Sequence, residues 1–380
     1  MEHTPAFRHR RFLNWFPLGL TYASLYMGRY NLTVAQGALG DLLSKVAFGE
    51  IFAVGAVVYG FAFLLNGPLT DRWGGRRSML LAAGGAALAN LAMGFAVRST
   101  LQGAMSGQTL LTSLMVLYAL NMYFQSFGAV AIVKVNAHWF HVTERGKFSG
   151  IFGIMIASGA FLAFDLNERI LRLLKGSGAG GTDPNWYVFL VPGFVLAAFW
   201  LFELAFLRNR PAEAGLEDLD TGDASSGDEG PATSMGLIKR ILTHPVILTL
   251  ALVEFCTGVL RNGVMHWFRI YAKEQLKAGT GGAAAWDFAL SNWGLLLMIA
   301  GIVGGMSAGY VSDLVFQSRR APAAFFLYAL LTVCCGAMAF SLHNAWLLVL
   351  LVFLISVAVI GTHGLLSGTA TMDFGGRKGA

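Results

Sequence analysis

The chain has 380 residues, of which 56% are hydrophobic and only 13% charged, and its mean hydropathy is +0.60. A soluble domain carries about 25% charged residues, so this composition excludes an ordinary soluble fold. The net charge of +6 is spread over short loops instead of forming a patch, which argues against a nucleic-acid-binding face. The 47 glycines and 29 phenylalanines suit helices that pack closely and face lipid. Cys256, Cys334 and Cys335 lie in apolar runs without metal-ligand spacing and read as packing residues. The expectation is an all-α membrane protein whose partners are the lipid bilayer and a small solute. Nucleic acid and cofactors are not expected, and a monomer is.

The first residues, MEHTPAFRHRRF, lead directly into an apolar run with no cleavage signal. Windows of about 20 residues place spans at 12–40, 48–70, 78–97, 108–138, 147–168 and 186–207. Four more follow at 245–271, 286–311, 322–341 and 345–367. Basic clusters (Arg10–Arg11, Arg76–Arg77, Arg208 with Arg210, Lys239–Arg240, Arg319–Arg320) fall on alternate connections, which predicts a cytoplasmic N-terminus. Residues 208–243 form an acidic, small-residue stretch and read as a flexible cytoplasmic linker. It divides the chain into a six-helix half, 1–207, and a second half, 244–380, expected to be incomplete.

The first span contains Arg29, with Tyr26 and Tyr22 before it on the same helical face. An arginine in mid-membrane costs at least about 2.5–3.5 kcal/mol, so it should meet a wet cavity or an anion. Arg261 repeats the arrangement: it lies as far after His244 as Arg29 lies after Phe12. Each arginine could instead be structural and neutralised by a carboxylate. Glu254, two turns before Arg261, is a candidate partner or proton carrier. His363, with Gly361 and Thr362, could line a cavity or simply pack, and Lys134 reads as snorkelling to the interface.

GPLTDRWGGRR, Gly67 to Arg77, is the strongest local motif. Gly67 should admit a neighbouring helix, and Asp71, Arg72 and Arg76 across a tight turn should form a charge latch for gating. GYVSD, ending at Asp313 and followed by Arg319–Arg320, repeats the pattern in the second half. Such repetition marks transporters built from two similar bundles. Gly305 to Gly309 fits G-x-S-x-G but lies in a spanning helix, so no hydrolase follows. Gly301, Gly305 and Gly309 read instead as a helix contact face. The absence of a P-loop gives no support for direct ATP driving, and an enzyme is not expected.

The motif between spans two and three resembles the signature of the major facilitator superfamily. RYNLTVA, HWFHVTERGKFSG, RPAEAGLED, LRNGVMHW and MDFGGRKGA further resemble the organophosphate:phosphate antiporters, over essentially the whole chain. The resemblance implies two pseudo-symmetric six-helix bundles, here shortened after about ten helices. It also implies that Arg29 and Arg261 hold a phosphoryl group, with Tyr22 and Tyr26 as aromatic site residues. Exchange of a phosphorylated organic anion for inorganic phosphate is the implied function. Ile156 and Phe63 stand where the glycerol-3-phosphate carrier has a histidine and a lysine, which points to a different phosphorylated substrate or another anion. Alternatives are a transporter-like membrane sensor of sugar phosphate, or a proton-coupled organic-anion carrier using Glu254.

Overall fold

The computed structural model describes residues 3–177, 183–221, 243–317 and 319–366. All the regular structure among them is helical, and the predicted spans fall on helices, with 147–168, 245–271 and 286–311 each divided between two. The helices are α1 Pro5–Leu39, α2 Lys45–Trp73, α3 Gly75–Leu101, α4 Gly107–Trp139, α5 Val142–Phe161, α6 Asn167–Ser177 and α7 Tyr187–Phe206. They continue as α8 Pro245–Asn262, α9 Phe268–Ala278, α10 Ala283–Ser291, α11 Trp293–Tyr310, α12 Arg320–Phe340 and α13 Ala345–His363. Among the described residues, 8 helices are long and apolar enough to cross a membrane. α1 and α5 are not in that set. For α1 the reason is visible: its polar residues Asn14, Thr21, Ser24, Arg29, Asn31 and Thr33 are all buried inside the protein, so they lower the hydropathy without meeting lipid.

Starts are set by short polar caps. Thr4, Ser44 and Ser106 each accept from the backbone N–H three residues on, at 3.3, 3.2 and 3.2 Å. Gly74, at φ +82°, ends α2 and turns the chain at once into α3. There a Cβ on Gly75 would stand 2.8 Å from the Ala131 carbonyl of α4. Gly67, by contrast, has open space around it. The close approach expected there is made by the glycines of the turn.

The chain divides into two compact units, residues 1–221 and 222–380. In the first, α3 presents Met79, Ala82, Ala83 and Ala86, all fully buried, and packs against α4 and α7. Leu18, Leu25, Phe127, Trp139 and Leu196 complete this core. In the second, α11 and α13 touch through backbone: a Cβ on Gly361 would stand 2.7 Å from the Gly304 carbonyl. The helix contact face read from the sequence is therefore displaced by one residue, since Gly305 and Gly309 face open space.

The stretch after α7 also departs from the sequence reading. Residues up to 221 belong to the first unit. The backbone N–H of Arg208 donates to Asn14 Oδ1 at 2.8 Å, and the Arg208 carbonyl accepts from Asn14 Nδ2 and Trp139 Nε1. Leu216 and Leu219 pack on the core, so 208–221 is docked rather than a free linker. Residues 222–242, and the tail from 367 that carries MDFGGRKGA, lie outside the described residues.

Candidate functional site

On α1, four residues of spacing bring Tyr22, Tyr26 and Tyr30 into a ladder with ring centroids 5.5 and 5.3 Å apart. Arg29 sits beside that ladder and is only 8% exposed. Its guanidinium lies over two aromatic faces, 5.2 Å from the Tyr26 ring and 4.6 Å from the Tyr59 ring of α2. Its Nε donates to Gln125 Oε1 on α4 at 2.9 Å. Its Nη2 is buried with no hydrogen-bond partner, and no carboxylate among the described residues pairs with it. Sequence reasoning placed Arg29, Tyr22 and Tyr26, but it missed Tyr59 and Gln125.

Gln125 is held in turn by a buried amide network. Its Nε2 donates to Asn121 Oδ1 at 2.9 Å, and Asn90 Nδ2 of α3 reaches the same oxygen at 3.1 Å. Asn31 Nδ2 donates to Asn90 Oδ1 at 2.7 Å. The Gly28 carbonyl accepts from both Asn90 and Asn121, at 3.1 and 2.9 Å, and Tyr118 OH donates to the Arg29 carbonyl at 3.2 Å. Gly28 itself must lack a side chain, since a Cβ would meet Asn90 Nδ2 at 2.9 Å. The signal in the sequence was the i, i+4 pair Asn121 and Gln125 in an apolar helix, where buried amides must find partners. The result is a fixed cation surrounded by neutral groups, which is chemistry for an anion. Ile156 packs in the core and Phe63 is exposed, so neither supplies a charge there.

In the second unit, Arg261 lies near the end of α8, just before a π-turn at Gly263–Trp267. It is half-buried, and its Nε has no hydrogen-bond partner. Glu254 is not its counterion. Glu254 Oε2 lies 2.7 Å from Nδ1 of His363 on α13, so two residues weighed separately in the sequence form one pair. One turn on from Glu254, Thr257 Oγ1 and Tyr328 OH of α12 are 2.6 Å apart.

Most of the residues read from the sequence as a charge latch also find specific partners. Asp71 accepts from Lys134 Nζ of α4 at 2.8 Å, so Lys134 does not simply snorkel. Arg76 does not pair with Asp71: its Nη2 donates to the Leu204 carbonyl at 2.8 Å, and its backbone N–H to Asn209 Oδ1 at 2.8 Å. Arg72 is exposed. The ion pair of Asp71 in the first unit is thus with Lys134. In the second unit Asp313 pairs with Arg320, at 2.6 Å, so there the arginine across the turn does meet the aspartate.

Comparison with known proteins adds to this geometry. The chain is 24% identical over 314 residues to the membrane sensor protein UhpC of Salmonella typhimurium, covering 80% of this chain and 64% of that protein. It is 24% identical over 333 residues to the glycerol-3-phosphate transporter of Bacillus subtilis, covering 85% of this chain and 70% of that one. The chain therefore spans about two thirds of the length of these relatives, which match the resemblance read from its motifs. In fold it is similar to the nucleoside transporter NupG (D323A mutant), with a TM-score of 0.62 and 11% identity over 95% of this chain and 82% of that one. A family model described as Major Facilitator Superfamily matches residues 18–380. With nearly the whole chain matched and every described helix in keeping with it, this protein belongs to the major facilitator superfamily.

Proposed function

We propose that the chain is a secondary transporter that exchanges a phosphorylated small organic anion for inorganic phosphate by alternating access. Arg29 is an anion ligand in the first unit, and Arg261 is an anion ligand in the second. The observation that carries this reading is the Arg29 guanidinium, buried, uncompensated by any carboxylate among the described residues, and with Nη2 lacking a partner. A planar fork of N–H donors suits phosphoryl oxygens, and charge-assisted hydrogen bonds of this kind are the strong ones. The rings of Tyr26 and Tyr59 offset part of the desolvation cost, and Gln125 fixes the fork through Nε. Filling the site with a dianion removes an uncompensated charge, so the loaded carrier crosses more readily than the empty one, which favours exchange over leakage. Asp71–Lys134 and Asp313–Arg320 act as gating contacts, and the basic connections favour an inner-membrane protein with a cytoplasmic N-terminus.

The test is direct phosphate binding to purified Arg29→Lys and Arg261→Lys, with Arg98→Lys as the control and thermal stability matched. Lysine keeps the charge but loses the fork. Loss of one charged hydrogen bond, about 1.5–3 kcal/mol, lowers affinity by roughly ten- to a hundredfold, while Arg98→Lys leaves it unchanged. Near-normal affinity in both site variants would overturn the assignment. A second reading is favoured by the similarity to a protein named as a membrane sensor, namely that the chain binds a sugar phosphate and signals. Flux of labelled phosphate into proteoliposomes separates the two, since a sensor binds without exchange.

A further inference from the structure

The end of α7 gathers more positive charge than helix capping requires. Arg10 of α1 donates from Nη2 to the Phe206 carbonyl, Arg208 from Nη1 to the Leu207 carbonyl at 2.8 Å, and Arg76 from Nη2 to the Leu204 carbonyl at 2.8 Å. Arginines commonly cap such carbonyls, but a helix terminus carries only about half a negative charge, which three guanidinium groups exceed. None of the three has a carboxylate partner among the described residues. Glu203, one turn back in α7, is buried and pairs with none of them. Arg10 and Arg208 share a cleft of about 480 Å³ with Leu13, Phe206 and Glu213, a volume in the range of small-molecule sites. Glu213 makes no ion pair there; its oxygens take the backbone N–H and Nδ2 of Asn209 at 2.9 and 3.3 Å. Burial, and then the charge of Arg208, push the Arg10 guanidinium below its ordinary value, yet both arginines stay charged. Capping uses one donor group of each fork. Nη1 of Arg10 is buried with no hydrogen-bond partner, and Nε and Nη2 of Arg208 have none among the described residues.

We propose that this cleft holds the phosphate of an anionic phospholipid, with Arg10 and Arg208 as its ligands and Phe206 seating the start of an acyl chain. The proposal requires nothing of Arg29 or Arg261. The phosphodiester presents two unesterified oxygens that share one negative charge, so each guanidinium can take one of them. A free phosphate has the same chemistry, but two features favour the lipid. Arg10 lies just before the predicted span 12–40 and Arg208 just after 186–207, which puts both at the depth of lipid headgroups. The basic connections assign that side to the cytoplasmic leaflet, whose anionic lipids attract basic residues. Phe206 is 43% exposed and stacks on Phe202, one turn farther into the span, with ring centroids 4.6 Å apart. Apolar surface therefore leads from the cleft along α7 into the membrane, which suits an acyl chain and does nothing for a free ion. Arg10 is also held over the ring of buried Trp139, 5.8 Å from its centroid, so its fork is positioned before any lipid arrives. A lipid bound there fastens α1, α7 and the docked segment together at one end of the first unit.

The experiment titrates the purified full-length protein, in neutral detergent, with phosphatidylglycerol or phosphatidylcholine and reads binding by native mass spectrometry. The first phosphatidylglycerol should bind at least about tenfold more tightly than phosphatidylcholine. Arg10→Gln and Arg208→Gln should each remove that preference. Arg210→Gln removes the same charge from an exposed arginine outside the cleft and should leave the preference intact. Arg208→Lys keeps the charge at the helix end and can still cap it, but loses the fork, so affinity should again fall by about tenfold. Thermal unfolding establishes which variants are folded, and Arg208→Lys carries the test if a glutamine variant is not. Equal binding of the two lipids by the wild type overturns the site. So does an unchanged affinity in Arg208→Lys, or an equal loss in Arg210→Gln, since either marks diffuse attraction to the surface. Inorganic phosphate, added at constant ionic strength, should not displace the lipid. Displacement in Arg29→Lys as in the wild type would assign the cleft to free phosphate and overturn the lipid as its occupant.

Discussion

Replacing Gln125 by glutamate would put a carboxylate 2.9 Å from Arg29 Nε, in the place of the amide oxygen that now accepts from it. The shape and the hydrogen bond to Arg29 are kept and the guanidinium acquires an internal counterion, but the bond that Gln125 Nε2 gives to Asn121 Oδ1 is lost. Phosphate affinity should fall by at least about tenfold, the equivalent of ~1.4 kcal/mol, in protein whose thermal unfolding shows that it remains folded despite the lost bond to Asn121. Isothermal titration and thermal unfolding of Gln125→Glu check both halves, and unchanged affinity would count against Arg29 as an anion ligand. The arginine itself was legible in the sequence because a charge in an apolar span has few bland explanations. Gln125 was not, since a single amide in a helix is common and its role depends on Asn121, Asn90 and Gly28 meeting it from other parts of the chain. The Glu254–His363 contact was hidden for the same reason: its members lie 109 positions apart.

Between elements, contacts of two kinds can be tested. The start of α5 is tied to the start of α1 through Glu144, which takes Arg11 Nη1 at 2.9 Å and lies 3.1 Å from His3 Nε2. Burial by itself would raise the Glu144 carboxyl, but the hydrogen bond from His3 and the charge of Arg11 outweigh it and hold the group below the usual carboxylate range. The depressed value means that the stabilisation is present above the unfolded carboxylate's range, around pH 4.5, and is lost as pH falls through the folded value below it. A double-mutant cycle of Arg11→Ala with Glu144→Gln should give a coupling of about 0.2–1 kcal/mol at pH 7, vanishing in strong acid. The second contact is the backbone approach of α11 and α13. Gly304→Ala or Gly361→Ala should cost about 1–3 kcal/mol through overpacking, whereas Gly305→Ala should be nearly neutral in thermal unfolding. The sequence displayed a stripe of glycines but not its phase, because one residue turns the helix by about 100° and only the partner helix fixes which glycine is covered.

For the whole molecule, bilayer thickness made the architecture readable, since it sets the length of every apolar run. The boundary between the units was less so. The acidic composition after Arg208 suggested a free linker, and nothing in that composition disclosed that Asn14, Trp139 and Asn209 would fasten its first part to the helices. Because 208–221 is docked, it offers a fixed reporter of orientation. Glu217→Cys, at an exposed position of this segment and in a background lacking Cys256, Cys334 and Cys335, should react with an impermeant maleimide in broken cells and not in intact ones. Labelling of intact cells would reverse the topology inferred from the basic connections.

The hydrogen bonds that Gly28 and Arg29 accept from α3 and α4 have a mechanical consequence. Asn90, Asn121 and Tyr118 grip the carbonyls of two successive residues in the middle of α1, as teeth of a key engage the wards of a lock. Turning α1 about its axis by a single residue, or sliding it by one step of about 1.5 Å, would pull those carbonyls out of register with all three donors at once. α1 therefore cannot act as a piston or a spindle. Whatever displacement Arg29 undergoes during a working cycle has to be shared by α3 and α4, so that gear of the machine turns as a block.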